Sequence, residues 1–160
     1  MDTTKLFKNA PWITKGGTFD PAKVPIDGTL KQAIAADMGQ FRSGLNMLGS
    51  MNSHGRDEAG IFLLGLFMAC NEDLERRGLI VEALGGVDTK ACADLLFAEL
   101  KKVKSSNTTR RYLATVIKVL TAMPSELTRE GFTLLANDKS FSQRMRDKFK
   151  EVIGEEEDWC

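Results

Sequence analysis

From Asp27 onward the apolar residues of this 160-residue chain recur at steps of three and four, and no segment keeps a two-residue alternation for long. That spacing constrains the fold more than any other feature. Side chains three and four apart share one face of an α-helix, whereas a half-buried strand requires alternation. The chain is therefore expected to be all-α, with about seven helices over residues 27–154. Leu30, Ile34, Met38, Phe41, Leu45 and Leu48 form the first stripe. Its helix is expected to open with a Thr29/Gln32 capping box and to close near Asn52, before the turn Ser53-His54-Gly55. The second helix, Asp57 to Cys70, is apolar almost all round and predicts a central, covered position.

Short turns separate the remaining helices. Asn71-Glu72-Asp73 breaks the apolar run and caps a third helix that buries Leu74, Ile80, Val81 and Leu84 and ends at Gly85-Gly86. Asp88 is expected to cap the fourth, striped by Cys92, Leu95, Leu96, Leu100 and Val103. Ser105-Ser106-Asn107 caps the fifth, with Tyr112, Leu113, Val116, Ile117 and Leu120 inside and Pro124 beyond its end. Ser125 caps the sixth, with Leu127, Phe132, Leu134 and Leu135 inside. A Ser140/Gln143 capping box opens the seventh, which Gly154 closes.

Two end segments stand apart. Residues 1–26 hold three of the four prolines and Gly16-Gly17 without a helical period, and read as an extended arm that Trp12, Ile13 and Phe19 pin to the helices. Residues 155–160, EEEDWC, read as an acidic tail. The longest apolar run, Gly60 to Cys70, is about half of what a bilayer demands, and no secretory signal is legible. A cytoplasmic, reduced protein with no membrane association is the expectation.

The helix pairs repeat. ERRGLIVEALGGVDTKACADLLFAELKKV and RRYLATVIKVLTAMPSELTREGFTLLAND share a basic pair, a closing leucine, a short turn and a second amphipathic helix. Arg76-Arg77 matches Arg110-Arg111, and QRMRDKFKEVI opens a third unit with Arg144 and Arg146 in the same place. On these features residues 56–153 resemble the HEAT and armadillo group of helical repeats. The resemblance implies a short right-handed array of antiparallel helix pairs, an α-solenoid capped by the first helix and the arm. An irregular helical bundle is the alternative.

Chemistry is sparse. His54, the single histidine, sits between Ser53 and Asp57, but catalytic triads converge from distant segments, so a turn or capping role is expected. Cys70 and Cys92 lie on apolar stripes, and Cys160 ends the acidic tail. No Cys or His pair has ligand spacing, and Lys15-Gly16-Gly17-Thr18 lacks the strand and spacing of a phosphate loop, so neither metal nor cofactor is expected.

The charges are more informative. Lys plus Arg equals Asp plus Glu at 22 each, so no global field selects a partner. Yet residues 101–150 carry 12 basic side chains against Glu126, Glu130, Asp138 and Asp147. Three readings follow. The first is a non-enzymatic module, an adaptor, regulator or inhibitor, that binds another protein through a helical-repeat surface, with homo-oligomerisation as a variant. Arg110, Arg111, Arg144 and Arg146 would line its binding face, and Trp12 would anchor the arm. The second is nucleic-acid binding through that basic half. The third is an enzyme with a pocket between helices using His54, Glu72 or Asp73.

Overall fold

The computed structural model describes residues 11–16, 18–70 and 73–157, with side chains as far as residue 154. Eight α-helices lie among them: α1 Ile26–Ala33, α2 Met38–Ser53, α3 Asp57–Ala69, α4 Leu74–Ala83, α5 Lys90–Lys102, α6 Arg110–Ala122, α7 Ser125–Asn137 and α8 Gln143–Glu157. The chain divides into two compact units at Glu72/Asp73, the first holding α1 to α3 and the second α4 to α8. The only pairing of extended segments among the described residues is the isolated bridge Ile13–Phe19, so the all-α class holds.

In the first unit the expected single first helix is two. Asp37 leaves helical geometry and its carboxylate caps α2 by accepting the Gln40 N–H at 2.9 Å, so the helix breaks between Ala33 and Met38. α1 folds back onto α2, and Ile34, assigned to the buried stripe, is instead 67% exposed. A Cβ on Gly44 would lie 2.4 Å from the Ala33 nitrogen, so this crossing depends on glycine. Thr29 is buried within α1 rather than capping it.

α2 ends in a Schellman turn: the Arg56 N–H reaches the Met51 carbonyl at 3.0 Å, and the Gly55 N–H reaches Asn52 at 3.1 Å. Gly55, at φ 90°, supplies the left-handed residue. Residues 1–10 of the expected arm lie outside the described residues, and the part that follows is folded back on itself. The Asp20 N–H binds the Trp12 carbonyl and the Thr14 N–H binds the Thr18 carbonyl, both at 2.8 Å, closing residues 12–20 into a loop. Arg56 then donates from Nη1 to the Val24 carbonyl and fixes the stretch after that loop to the α2–α3 turn. α3 buries Ala59, Leu63 and Phe67 but leaves Ile61 and Met68 exposed, so it is not covered on all sides as its composition suggests.

In the second unit α4 packs on α6, α5 packs on both α6 and α7, and α8 packs on α7. Each helix of the pair α4/α5 thus meets its counterpart in the pair α6/α7. α3, which the repeat resemblance would include, belongs to the first unit. The core is built from Ile80, Val81, Leu84, Leu96, Val116, Leu120 and Leu135, all fully buried. An aromatic row extends it: Phe97 meets Phe132 edge-on at 5.1 Å, and Phe132 and Phe141 flank Phe149 at 6.1 and 5.5 Å.

Several caps fall one to three residues from their expected places. Thr89, not Asp88, accepts the Cys92 N–H, and Ser142, not Ser140, accepts the Met145 N–H. Ser106 does cap the turn that leads into α6, its Oγ accepting the Thr109 N–H at 3.3 Å while Thr109 Oγ1 accepts the Ser106 N–H at 2.9 Å, whereas Pro124 precedes α7 without a side-chain cap. Gly85 and Gly86 continue α4 as a 3-10 turn without left-handed torsions. Gly154 does not stop α8, whose backbone continues through Glu157, so the acidic tail begins inside a helix. The rest of that tail, with Trp159 and Cys160, lies outside the described residues.

Candidate functional site

Three features of the second unit bear on function: a buried polar cluster, an open groove and the exposed arginines. Arg77 on α4 holds Glu99 on α5 with two parallel bonds, Nε to Oε1 at 2.7 Å and Nη2 to Oε2 at 2.8 Å. The Tyr112 hydroxyl on α6 donates to the same Oε1 at 2.7 Å. All three residues are at most 6% exposed. Burial is the strongest single influence on Glu99 and pushes its carboxyl up, but the hydrogen bonds from Arg77 and Tyr112, with the positive charges of Arg77 and Lys102, hold it below its ordinary value. Burial and the adjacent carboxylate push the Tyr112 phenol well above its ordinary range. The hydrogen bonds that Arg77 donates to Glu99 raise its own pKa in turn. Every charge here is matched, and the cluster ties three helices together.

Sequence reasoning missed this cluster, because Arg77 was read with Arg76 as a basic pair opening a helix. Arg76 does lie at the surface end, 3.7 Å from Asp73, whose carboxylate also caps α4. Glu99 stands between Ala98 and Leu100 on the buried stripe of α5, and a carboxylate at such a position was the available signal.

The groove runs between α5 and α7. Its floor is Phe97, whose ring lies against Gly131 so closely that a Cβ there would fall 2.2 Å from Cε2. Ala98 and Leu134 form its apolar walls, and Lys90, Asp94, Lys101 and Glu130 stand at its edges around about 340 Å³. Lys90 and Asp94 pair at 2.8 Å along α5. Leu134, assigned to the interior by its spacing, is 57% exposed, because the buried face of α7 is Thr128, Phe132, Leu135 and Ala136. It forms a ridge between this groove and a second hollow of about 490 Å³ that also takes in Glu126, Arg129 and Thr133.

The predicted arginines all occupy first turns. Arg110 and Arg111 open α6 and are exposed, whereas Arg144 and the half-buried Arg146 open α8. Arg146 donates from Nη2 to Gln143 at 2.8 Å. A cation at a helix N-terminus opposes the helix dipole by about 0.3–1 kcal/mol, so these positions are not explained by helix stability. The structure places the two pairs on separate helices; they do not converge on one pocket. Trp12 is half-buried in the closed loop of the first unit.

Elsewhere the reactive side chains are occupied structurally. The His54 ring nitrogen Nδ1 lies 2.7 Å from the Ser50 carbonyl at the end of α2. Cys92 is fully buried, and that burial pushes its thiol up to about 12, far from a reactive thiolate. Asp73 is the α4 cap, and Glu72 lies outside the described residues. Among the described residues no group of three His, Cys, Asp or Glu side chains is disposed to hold a metal, and no helix is long and apolar enough to cross a membrane. No family model, curated protein or solved structure matches the chain.

Proposed function

We propose that this chain is a protein-interaction module whose binding surface lies on its second unit. The observation that carries this reading is the groove between α5 and α7, with an exposed leucine at its edge and charges confined to its rim. Apolar surface left open beside satisfied polar groups is what a docking site offers and what a self-sufficient core avoids. The stacking of α4 on α6 and α5 on α7 supports a HEAT-like or armadillo-like scaffold, in which such surfaces are presented side by side. That link from scaffold to use is one of analogy. The test is affinity capture from lysate on the immobilised chain, with nuclease and moderate salt. Recovery of a discrete protein that survives both is the expected result, and loss of all protein under those conditions refutes the reading.

A specific observation favours nucleic-acid binding as a second reading. Arg110, Arg111, Arg144 and Arg146 all stand in first turns, and a helix N-terminus is itself a favourable place for phosphate. Binding of double-stranded DNA that falls steeply with salt, and that charge reversal at Arg110 and Arg111 abolishes, would support it. Salt-independent binding, or none, would remove it.

A further inference from the structure

We infer that α3 of the first unit pairs with α3 of a second copy of this chain about a two-fold axis, independently of the surface proposed on the second unit. From Ala59 to Cys70 the sequence holds no charged residue. α3 turns Ala59, Leu63 and Phe67 inward, and the opposite stripe is Ile61, Leu64, Gly65 and Met68. Ile61 is 70% exposed and Met68 63%. Those two side chains alone leave roughly 250 Å² of apolar surface in water, and with Leu64 and Gly65 the stripe approaches the largest patch of an ordinary monomer. A polar occupant finds nothing there to bond, so the surface that covers it is itself apolar.

The order of the four residues selects a second copy. With the axis midway between Leu64 and Gly65, an antiparallel α3 sets Ile61 against Met68 of the second copy and Leu64 against Gly65 of the second copy. The same two contacts recur across the axis, as an isologous interface requires. A Cβ on Gly65 would meet nothing within 4 Å, so the backbone there lies open. Each helix thus carries one projection, Leu64, and beside it one recess, Gly65, and the two-fold brings the projection of each copy into the recess of the other. Bare backbone at the crossing lets the helix axes approach to about 8 Å, the close end of helix packing. Glycine in a helix interior weakens the helix, so Gly65 is not explained by the stability of α3 alone.

The size of the face sets the strength. Two such faces bury about 800 Å² in total, below a standard interface, so half-association falls at about tens of micromolar. Moderate salt screens Asp57 and Glu58, the acidic residues in the first turn of α3.

Sedimentation velocity of the full chain from about 1 to 500 µM tests the pairing. Wild type should move from 17.7 kDa toward twice that mass as concentration rises. Ile61→Glu alone and Met68→Lys alone, both at exposed positions, should each weaken association at least about tenfold. An equimolar mixture of the two should recover it, because the antiparallel register sets the introduced carboxylate of one chain against the introduced ammonium of the other. Gly65→Gln fills the recess and should also weaken association at least about tenfold, with the thermal midpoint of dilute protein unchanged or raised, since glutamine is the better helix former. It decides the matter if either charged variant loses its helical circular dichroism. A chain that stays monomeric over the whole range, a mixture of folded variants that fails to recover, or association indifferent to Gly65→Gln overturns the inference. A monomer that instead sediments with phosphatidylcholine vesicles assigns the face to lipid and overturns the pairing as well.

Discussion

Tyr112 is the chain's single tyrosine, so its ionisation can be followed without interference from any other phenol. In the folded protein its pKa is raised, by burial first and by the Glu99 carboxylate at 2.7 Å next, with Arg77 acting in the opposite direction. In the unfolded chain it returns to about 10. The sign follows from linkage. Below about pH 10 both states hold the phenol proton and the contribution to stability is constant. Above it the unfolded chain releases the proton while the folded one keeps it, and stability falls by about 1.4 kcal/mol per pH unit. Between pH 10 and 11.5 the loss is about 2 kcal/mol, a substantial share of the 5–15 kcal/mol typical of a domain.

Two measurements check this. Tyrosinate absorbance should stay flat well past pH 10 and then rise together with loss of far-ultraviolet circular dichroism, as one transition. Denaturant titrations of wild type and Tyr112→Phe should converge as pH rises. The variant starts lower at neutral pH by about 1.5–3 kcal/mol, the usual worth of a hydrogen bond to a charged group. It then lacks the alkaline loss that wild type suffers. Cys92 is common to both proteins and cancels from the comparison. A reversible tyrosinate titration near pH 10 with the fold intact would refute the buried network.

Other consequences are as direct. Glu99→Leu leaves Arg77 buried without its carboxylate and should cost about 3–5 kcal/mol, whereas Arg77→Met/Glu99→Leu together should recover most of that loss in a double-mutant cycle. Because the Glu99 pKa is lowered, its contribution is present above the unfolded value of about 4.3 and is lost as pH falls through the folded one; Glu99→Gln should flatten the acid limb of a stability–pH curve. Gly131→Ala drives a Cβ into Phe97 and should cost about 1–3 kcal/mol by thermal denaturation, with Phe97→Leu in the same chain restoring part of it. Charge reversal at Arg110 and Arg111 should leave the thermal midpoint unchanged or slightly raised, since acidic residues suit a helix N-terminus, while weakening capture of an acidic partner or DNA.

Helix existence was legible because the apolar period is strong over most of the chain, and α3, α4, α5, α6 and α7 stand close to their expected bounds. The break at Asp37 was not, because Leu30, Ile34, Met38 and Phe41 keep the period straight through it. Spacing reports which residues could share a face, not whether the backbone turns between them. Only the competition between a continuous helix and an Asp37 cap with close packing at Gly44 decides that, and the packing partner is Ala33 on the neighbouring helix. Leu134 was misread for a related reason. Phe132, Leu134 and Leu135 cannot all face inward on one narrow stripe, and the aromatic row of Phe97, Phe132 and Phe149 chooses the face that exposes Leu134.

The arginines show the same limit at the level of the site. The repeat offset of 34 residues that carries Arg77 to Arg111 carries Glu99 to Thr133 and Tyr112 to Arg146. Arg77 therefore meets a carboxylate and a phenol on the next two helices and is drawn inside, where the bidentate pair offsets its desolvation. Arg111 has no such carboxylate at the matching place, and a guanidinium cannot be buried alone, so it stays in water. Two arginines that a repeat alignment makes equivalent thus take opposite roles, one holding α4, α5 and α6 together and one facing solvent. The difference lies in the partners that stand 22 and 35 residues downstream of each arginine, Glu99 and Tyr112 in one unit and Thr133 and Arg146 in the other. Thr133→Glu alone offers no rescue, because Thr133 is exposed on α7; the network depends on the buried stripe as well as the charge.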